Sequence, residues 1–178
     1  MTVDPERPTN DTRESHEAEL AGLYADYYDK IAHYASVHIG NKADAEDIAG
    51  EVFLKALESL GSYKQRGIPM QAWLFKIAHN LVVDYLRRMS KRKTVDIDSV
   101  NLRSDESPEM IAEINIEIEK VKKAMEQLTW EQREVLSLRF FGELTSKETA
   151  AIMGKSDGAV REMQRAATSK LRVLLAVK

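Results

Sequence analysis

The sequence predicts an all-α protein built from two small helical domains joined by a flexible linker. Three observations predict it. Apolar residues recur at steps of three and four along most of the chain, while strand-like alternation is rare. A polar, acidic and aperiodic stretch, TVDIDSVNLRSDES (94–107), separates two such periodic regions. The second region also carries two helix-start signatures, the capping boxes Thr129-x-x-Gln132 and Thr145-x-x-Glu148. The expected organisation is a disordered tail (1–14), a first domain (15–93), a linker (94–107) and a second domain (108–178).

The tail to about Arg13 has Pro5, Pro8 and no aromatic residue, a composition that does not fold alone. A first helix is expected from about Glu17 to Ile39, with Leu20, Leu23, Tyr24, Tyr27, Ile31 and Tyr34 on its buried side and Gly40-Asn41 as its stop. A second, from about Ala43 to Leu60, opens with Asp44, Glu46 and Asp47, where the helix dipole favours negative charge. Its core stripe is Ile48, Val52, Phe53, Ala56, Leu57 and Leu60. The opposite face reads Asp47, Glu51, Leu54, Glu58, an acidic ridge that holds one leucine. The loop GSYKQRGIP then leads into a third helix from about Pro69 to Arg92. That helix is apolar on more than one face and ends in RRMSKRK, which suggests that something besides its own domain presses on it.

Ser107-Pro108 restarts helix as N-cap and first-turn proline, followed by a seam of Ile111, Ile114, Ile118, Val121, Met125 and Leu128. From Ser146 the spacing fits a helix-turn-helix. Ala150 is small where two helices cross, Gly154 supplies a left-handed turn, and Val160 plugs the interface, with Ile152 and Met163 also inward. Ser156 caps the second helix, whose outward face offers Asp157, Arg161, Glu162, Gln164 and Arg165. Such side chains suit major-groove reading, with Arg for guanine, Gln for adenine and Glu for cytosine.

The formal net charge is −3, but it is segregated. Residues 1–61 sum to −8, 62–93 to +7, 94–119 to −7 and 120–178 to +5, which suggests separate surfaces for separate partners. No run of 18 apolar residues occurs, and the polar N-terminus has no signal-peptide core, so the expected location is the cytoplasm, away from membranes. Without cysteine there is neither a disulfide framework nor a thiolate metal site. His16, His33, His38 and His79 show no ligand spacing. No phosphate-binding glycine loop or nucleophile set occurs, so neither catalytic residues, nor a metal, nor a cofactor is assigned.

The segment AWLFKIAHNLVVDYLRR (72–88) resembles the second conserved region of bacterial sigma factors of the extracytoplasmic-function (ECF) type, in the sigma-70 family. DAEDIAGEVFLKAL (44–57) resembles the part of that region that binds the clamp helices of the RNA polymerase β′ subunit. LTWEQREVLSLRFF and GAVREMQ resemble the fourth region, which reads the −35 promoter element. The resemblance covers about Leu20–Arg92 and Ile118–Leu175.

It implies a region 2 bundle and a region 4 helix-turn-helix, which bind core polymerase (β′ and β subunits) and promoter DNA. It places Lys64, Gln65, Arg66, His79 and Asn80 near a flipped-out base of the −10 element, and Arg87, Arg88, Lys91 and Arg92 near its phosphates. Ser156, Asp157, Arg161, Glu162, Gln164 and Arg165 fall at the −35 element, and Asp47, Glu51, Leu54 and Glu58 against polymerase. It also implies an anti-sigma factor, for which the apolar seam at 111–128 and the Leu54 ridge are candidate docking surfaces. Trp73, Ile77 and Leu81 are assigned to packing inside the domain.

The sequence departs from the family at three places. Leu74 stands where primary sigma factors have a second tryptophan. Gly50 stands where glutamine is frequent, at a helix-propensity cost of about 1 kcal/mol. Arg165-Ala166-Ala167 replaces a frequent His-Arg-Ala run. Two other readings stay open at this level: a helix-turn-helix regulator that binds duplex DNA without polymerase, and a helical interaction module without DNA. The linker also leaves the relative placement of the two domains open, closure included.

Overall fold

The computed structural model describes residues 10–63, 68–93 and 112–176. Among these are seven α-helices: α1 (Asn10–Ile39), α2 (Lys42–Glu58), α3 (Met70–Lys93), α4 (Ala112–Glu126), α5 (Trp130–Phe140), α6 (Ser146–Met153) and α7 (Asp157–Ala176). A single 3₁₀ turn, Leu60–Ser62, follows α2. The all-α expectation is met. The linker 94–107 and the Ser107-Pro108 restart lie outside the described residues.

Helix α1 begins earlier than expected, so residues 10–14, assigned to a disordered tail, are helical. An i,i+4 ion pair, Arg13 to Glu17 at 3.0 Å, supports this first stretch. The ring of His16, edge-on to Tyr63 at 5.1 Å, fastens it to the bundle. Gly40 ends α1 with φ +74°, and its N–H donates to the Ser36 carbonyl. Asn41 then caps α2 by accepting the Asp44 N–H at 3.0 Å.

Leu20, Tyr27, Ile31, Tyr34 and Ala35 of α1 pack on Ala45, Ile48, Ala49, Val52, Phe53 and Ala56 of α2 and on Met70, Leu74, Phe75, Ala78 and Val82 of α3. Two residues assigned to this core lie outside it. Leu57 is 50% exposed, because it lies about one turn beyond Leu54 and shares that outward face. Tyr24 is 52% exposed and leans on Phe53 and Tyr28, with ring centroids 4.9 and 5.2 Å away. Trp73 is half-buried against Tyr63 at 4.9 Å, as its packing role requires.

In the second half Val135, Ala150 and Val160 form the centre of the helix-turn-helix, with Met153 and Met163 at its edge. Both capping boxes are made in full. Gly154 takes φ +64° and its N–H closes onto Ala150 O. Along α4, Leu128 is buried and Met125 half-buried, but Val121 of the expected seam is exposed. The side chains at 111–118 lie outside the described ones.

The two halves pack together. Leu138, Leu144 and Ile152 belong to the same buried apolar cluster as the α1 and α3 residues. Gln71 donates to the Gly142 carbonyl, and Lys76 reaches the Ile152 carbonyl at 3.4 Å. This second neighbour explains why α3 is apolar on more than one face.

Candidate nucleic-acid interface

Helix α7 presents the outward face read from the sequence. Ser156 Oγ accepts the Ala159 N–H at 3.2 Å, so the serine is spent on capping. Asp157 pairs with Arg161 at 2.8 Å, and Arg161 also reaches Ser146 Oγ at 3.4 Å. Arg165 grips Glu162 through two N–H groups, at 2.6 and 3.1 Å. That hydrogen bonding holds the Glu162 carboxyl below its ordinary range and the guanidinium above its own. Gln164 accepts from Arg139 Nε at 3.0 Å. The polar groups of this face are thus held by one another, and base edges would have to displace those partners.

Sequence reasoning missed part of this surface. Arg161, Gln164, Arg165, Thr168, Ser169 and Arg172 line one shallow cleft along α7. The signal was present, since 161, 165, 168 and 172 follow at steps of four, three and four and share one face.

In the first half, Asn80, Arg87, Arg88, Lys91 and Arg92 are exposed along α3. Arg87 touches Asp84 at 3.3 Å, an exposed pair of little strength. Lys64, Gln65 and Arg66 lie outside the described residues. His79 points to the second half: its Nδ1 donates to Glu134 Oε1 at 2.8 Å. Asp47, Glu51, Leu54 and Glu58 form an exposed strip on α2, with Leu54 56% exposed and Glu51 beside Lys55 at 3.6 Å. Leu57 widens the apolar part of this strip.

Glu134 is the residue that the sequence reading did not single out. It is fully buried between the halves. Tyr34 donates its hydroxyl proton to Oε1 at 2.8 Å, and His38 Nε2 lies 2.9 Å from Oε2. The His38 contact is too oblique for a directed hydrogen bond, so it acts as an electrostatic one. Burial pushes the Glu134 carboxyl up, but the contacts of His38 and His79 outweigh it and hold it down at about 2. Its position gave a clue: it lies four residues before Leu138 on the apolar side of α5, where a charge requires partners.

The molecule thus joins a helix-turn-helix, whose α7 face carries Arg161, Arg165 and Arg172, to a helical unit with a basic α3 end and an acidic α2 strip around Leu54. Residues 23–92 match the sigma-70 region 2 family and residues 124–173 match sigma-70 region 4. The chain is 34% identical over 164 residues to the ECF RNA polymerase sigma factor BldN of Streptomyces coelicolor, a match that covers 89% of this chain and 61% of that protein. It is 38% identical over 134 residues to the ECF RNA polymerase sigma factor ShbA of Streptomyces griseus, covering 72% and 70%. The fold is similar to that of the sigma factor RpoE of Bartonella quintana, solved in complex with the anti-sigma factor NepR, with a TM-score of 0.70, 22% identity and coverage of 90% of this chain and 98% of that one. The chain belongs to the ECF RNA polymerase sigma factors.

Proposed function

We propose that this chain is a promoter-specificity subunit of RNA polymerase, without catalytic activity of its own, which binds core enzyme and reads the −10 and −35 promoter elements in the cytoplasm. Residues 15–93 are the region 2 domain and 108–178 the region 4 domain, with 94–107 linking them. The observation that carries the reading is the pairing, on one chain, of the polar α7 face with an exposed α2 strip in which Leu54 and Leu57 lie among Asp47, Glu51 and Glu58.

In this reading Asp47, Glu51, Leu54 and Glu58 dock on the β′ clamp helices, and region 4 meets the β subunit. Lys64, Gln65, Arg66, His79 and Asn80 read the flipped −10 base. Arg87, Arg88, Lys91 and Arg92 hold phosphates, where fixed positive charge releases counterions. Region 4 reads the −35 element through Arg161, Glu162, Gln164 and Arg165, with Asp157 steering Arg161 and Ser156 capping the helix. An anti-sigma factor is the expected antagonist, and the B. quintana relative was solved with one.

Run-off transcription with bacterial core polymerase on a library of promoter fragments tests the reading. The expected result is initiation that depends on the chain, from fragments that share two elements. Absence of initiation, together with tight duplex binding without polymerase, would instead mark a stand-alone regulator.

A further inference from the structure

The contact between the halves is more than apolar packing, and its polar centre involves a residue assigned to promoter reading. Glu134 of α5 takes Tyr34 and His38 from α1 and His79 from α3, at 2.8, 2.9 and 2.8 Å. The side chains of Glu134 and His38 are buried, and that of His79 is 19% exposed. A second carboxylate works at the rim. Glu143, in the turn between α5 and α6, accepts from the Tyr27 hydroxyl at 2.8 Å and from Lys30 at 2.7 Å. Glu143 has φ +54°, the one non-glycine residue with positive φ among those described, and the strained backbone aims its carboxylate across the interface.

We infer that Glu134 and Glu143 form a clasp that closes region 4 over region 2, and that the Glu134 carboxylate and the promoter strand compete for His79. This rests on the assignment of His79 to the −10 element.

The physical case has three parts. His79 Nδ1 is engaged by Glu134, so the ring is held in one orientation and that nitrogen is lost to a flipped base while the clasp is shut. The closed form also brings the reading surfaces too close. α3 touches α5 through His79, and α5 packs on α7, whereas helices in contact lie only ~10 Å apart. Two promoter elements one and a half helical turns apart are separated by about 50 Å, so both cannot be read without opening. Finally, the clasp is polar. Desolvation of the buried Glu134 carboxylate offsets much of what its contacts gain, and opening returns those groups to water. Such a contact fixes a geometry without making it irreversible, as a two-state element requires.

The chain has no cysteine, so Ala18→Cys in α1 and Ala151→Cys in α6, both exposed, give a donor–acceptor pair across the interface in the full chain. The expected result is high transfer efficiency in the parent and a marked fall in Glu134→Gln, with the helical circular dichroism retained. Glu143→Gly removes the rim contacts and relieves the strained φ, so it folds without difficulty and should open the pair partly.

Binding is read by anisotropy with a randomised pool of single-stranded DNA 15-mers at low salt. Because apparent affinity scales with the open fraction, Glu134→Gln should bind at least about tenfold tighter, and His79→Ala in that background should cancel the gain. Unchanged transfer efficiency in both folded variants would overturn the clasp. Opening without any gain in DNA affinity would overturn the competition for His79 and leave the polymerase reading to the transcription assay.

Discussion

Gly142 has no room for a side chain: a Cβ there would lie 2.5 Å from the Leu138 carbonyl oxygen and 2.9 Å from Leu144 Cγ. Gly142→Ala should therefore destabilise the second half by about 1–3 kcal/mol, the usual cost of overpacking, read as a lower urea midpoint. Gly50 is the opposite case. It is exposed inside α2, and a methyl group at that position would meet nothing within 4 Å. Gly50→Ala should raise stability by about 1 kcal/mol in the same measurement, and a destabilised variant would mean that the helix there is not regular. At this scale the sequence is legible where one residue type has one physical use. Ala150, Gly154 and Val160 sit where their spacing puts them. Glu134 is legible only as a charge on the apolar side of α5; its partners come from positions 34, 38 and 79, and no local pattern joins those to it.

Helices are legible from periodicity and caps, with differences at their edges. The Thr145 box is complete, Thr145 Oγ1 accepting the Glu148 N–H at 3.2 Å while Glu148 accepts the Thr145 N–H at 2.8 Å. Thr145→Ala should cost about 1 kcal/mol and leave α6 frayed, visible as faster amide exchange at its first turn. On α2 the periodicity puts Asp47, Glu51, Leu54 and Glu58 outward, where the structure has them, but it also puts Leu57 in the core, where the structure does not. A stripe of three- and four-residue steps fixes the middle of a buried face, whereas its margins depend on how far the neighbouring helix reaches. Leu54→Ala removes a side chain that packs on little, so stability should change by under about 0.5 kcal/mol. Its affinity for core polymerase should nevertheless fall, measured by competition for core enzyme against the parent chain. A folded Leu54→Ala protein with parental affinity would take the α2 strip out of the polymerase interface.

At the scale of the whole molecule the sequence stops short, since periodicity shows that a second face of α3 is apolar but not what covers it. The closed arrangement depends on Glu134, and so its response to acid follows from that carboxyl. Its value of about 2 in the folded chain lies below the ordinary 4.5, so the group favours the folded, closed form while it is ionised. That stabilisation is fully present above pH 4.5 and is lost progressively as the pH falls from 4.5 towards 2. A shift of this size corresponds to roughly 3 kcal/mol between the ends of the window, at 1.36 kcal/mol for each pH unit. The hydrogen bonds of Lys30 and Tyr27 hold the Glu143 carboxyl down as well, so the parent's acid limb by itself does not assign the effect to Glu134. The informative quantity is the stability gap between the parent and Glu134→Gln, from urea unfolding at pH 6 and at pH 3. It should shrink on going to pH 3, because the parent loses a charge-dependent term that the variant never had. A gap of the same size at both values would mean that Glu134 is already neutral between its two histidines, and that the clasp is held by hydrogen bonds without an ionised carboxylate.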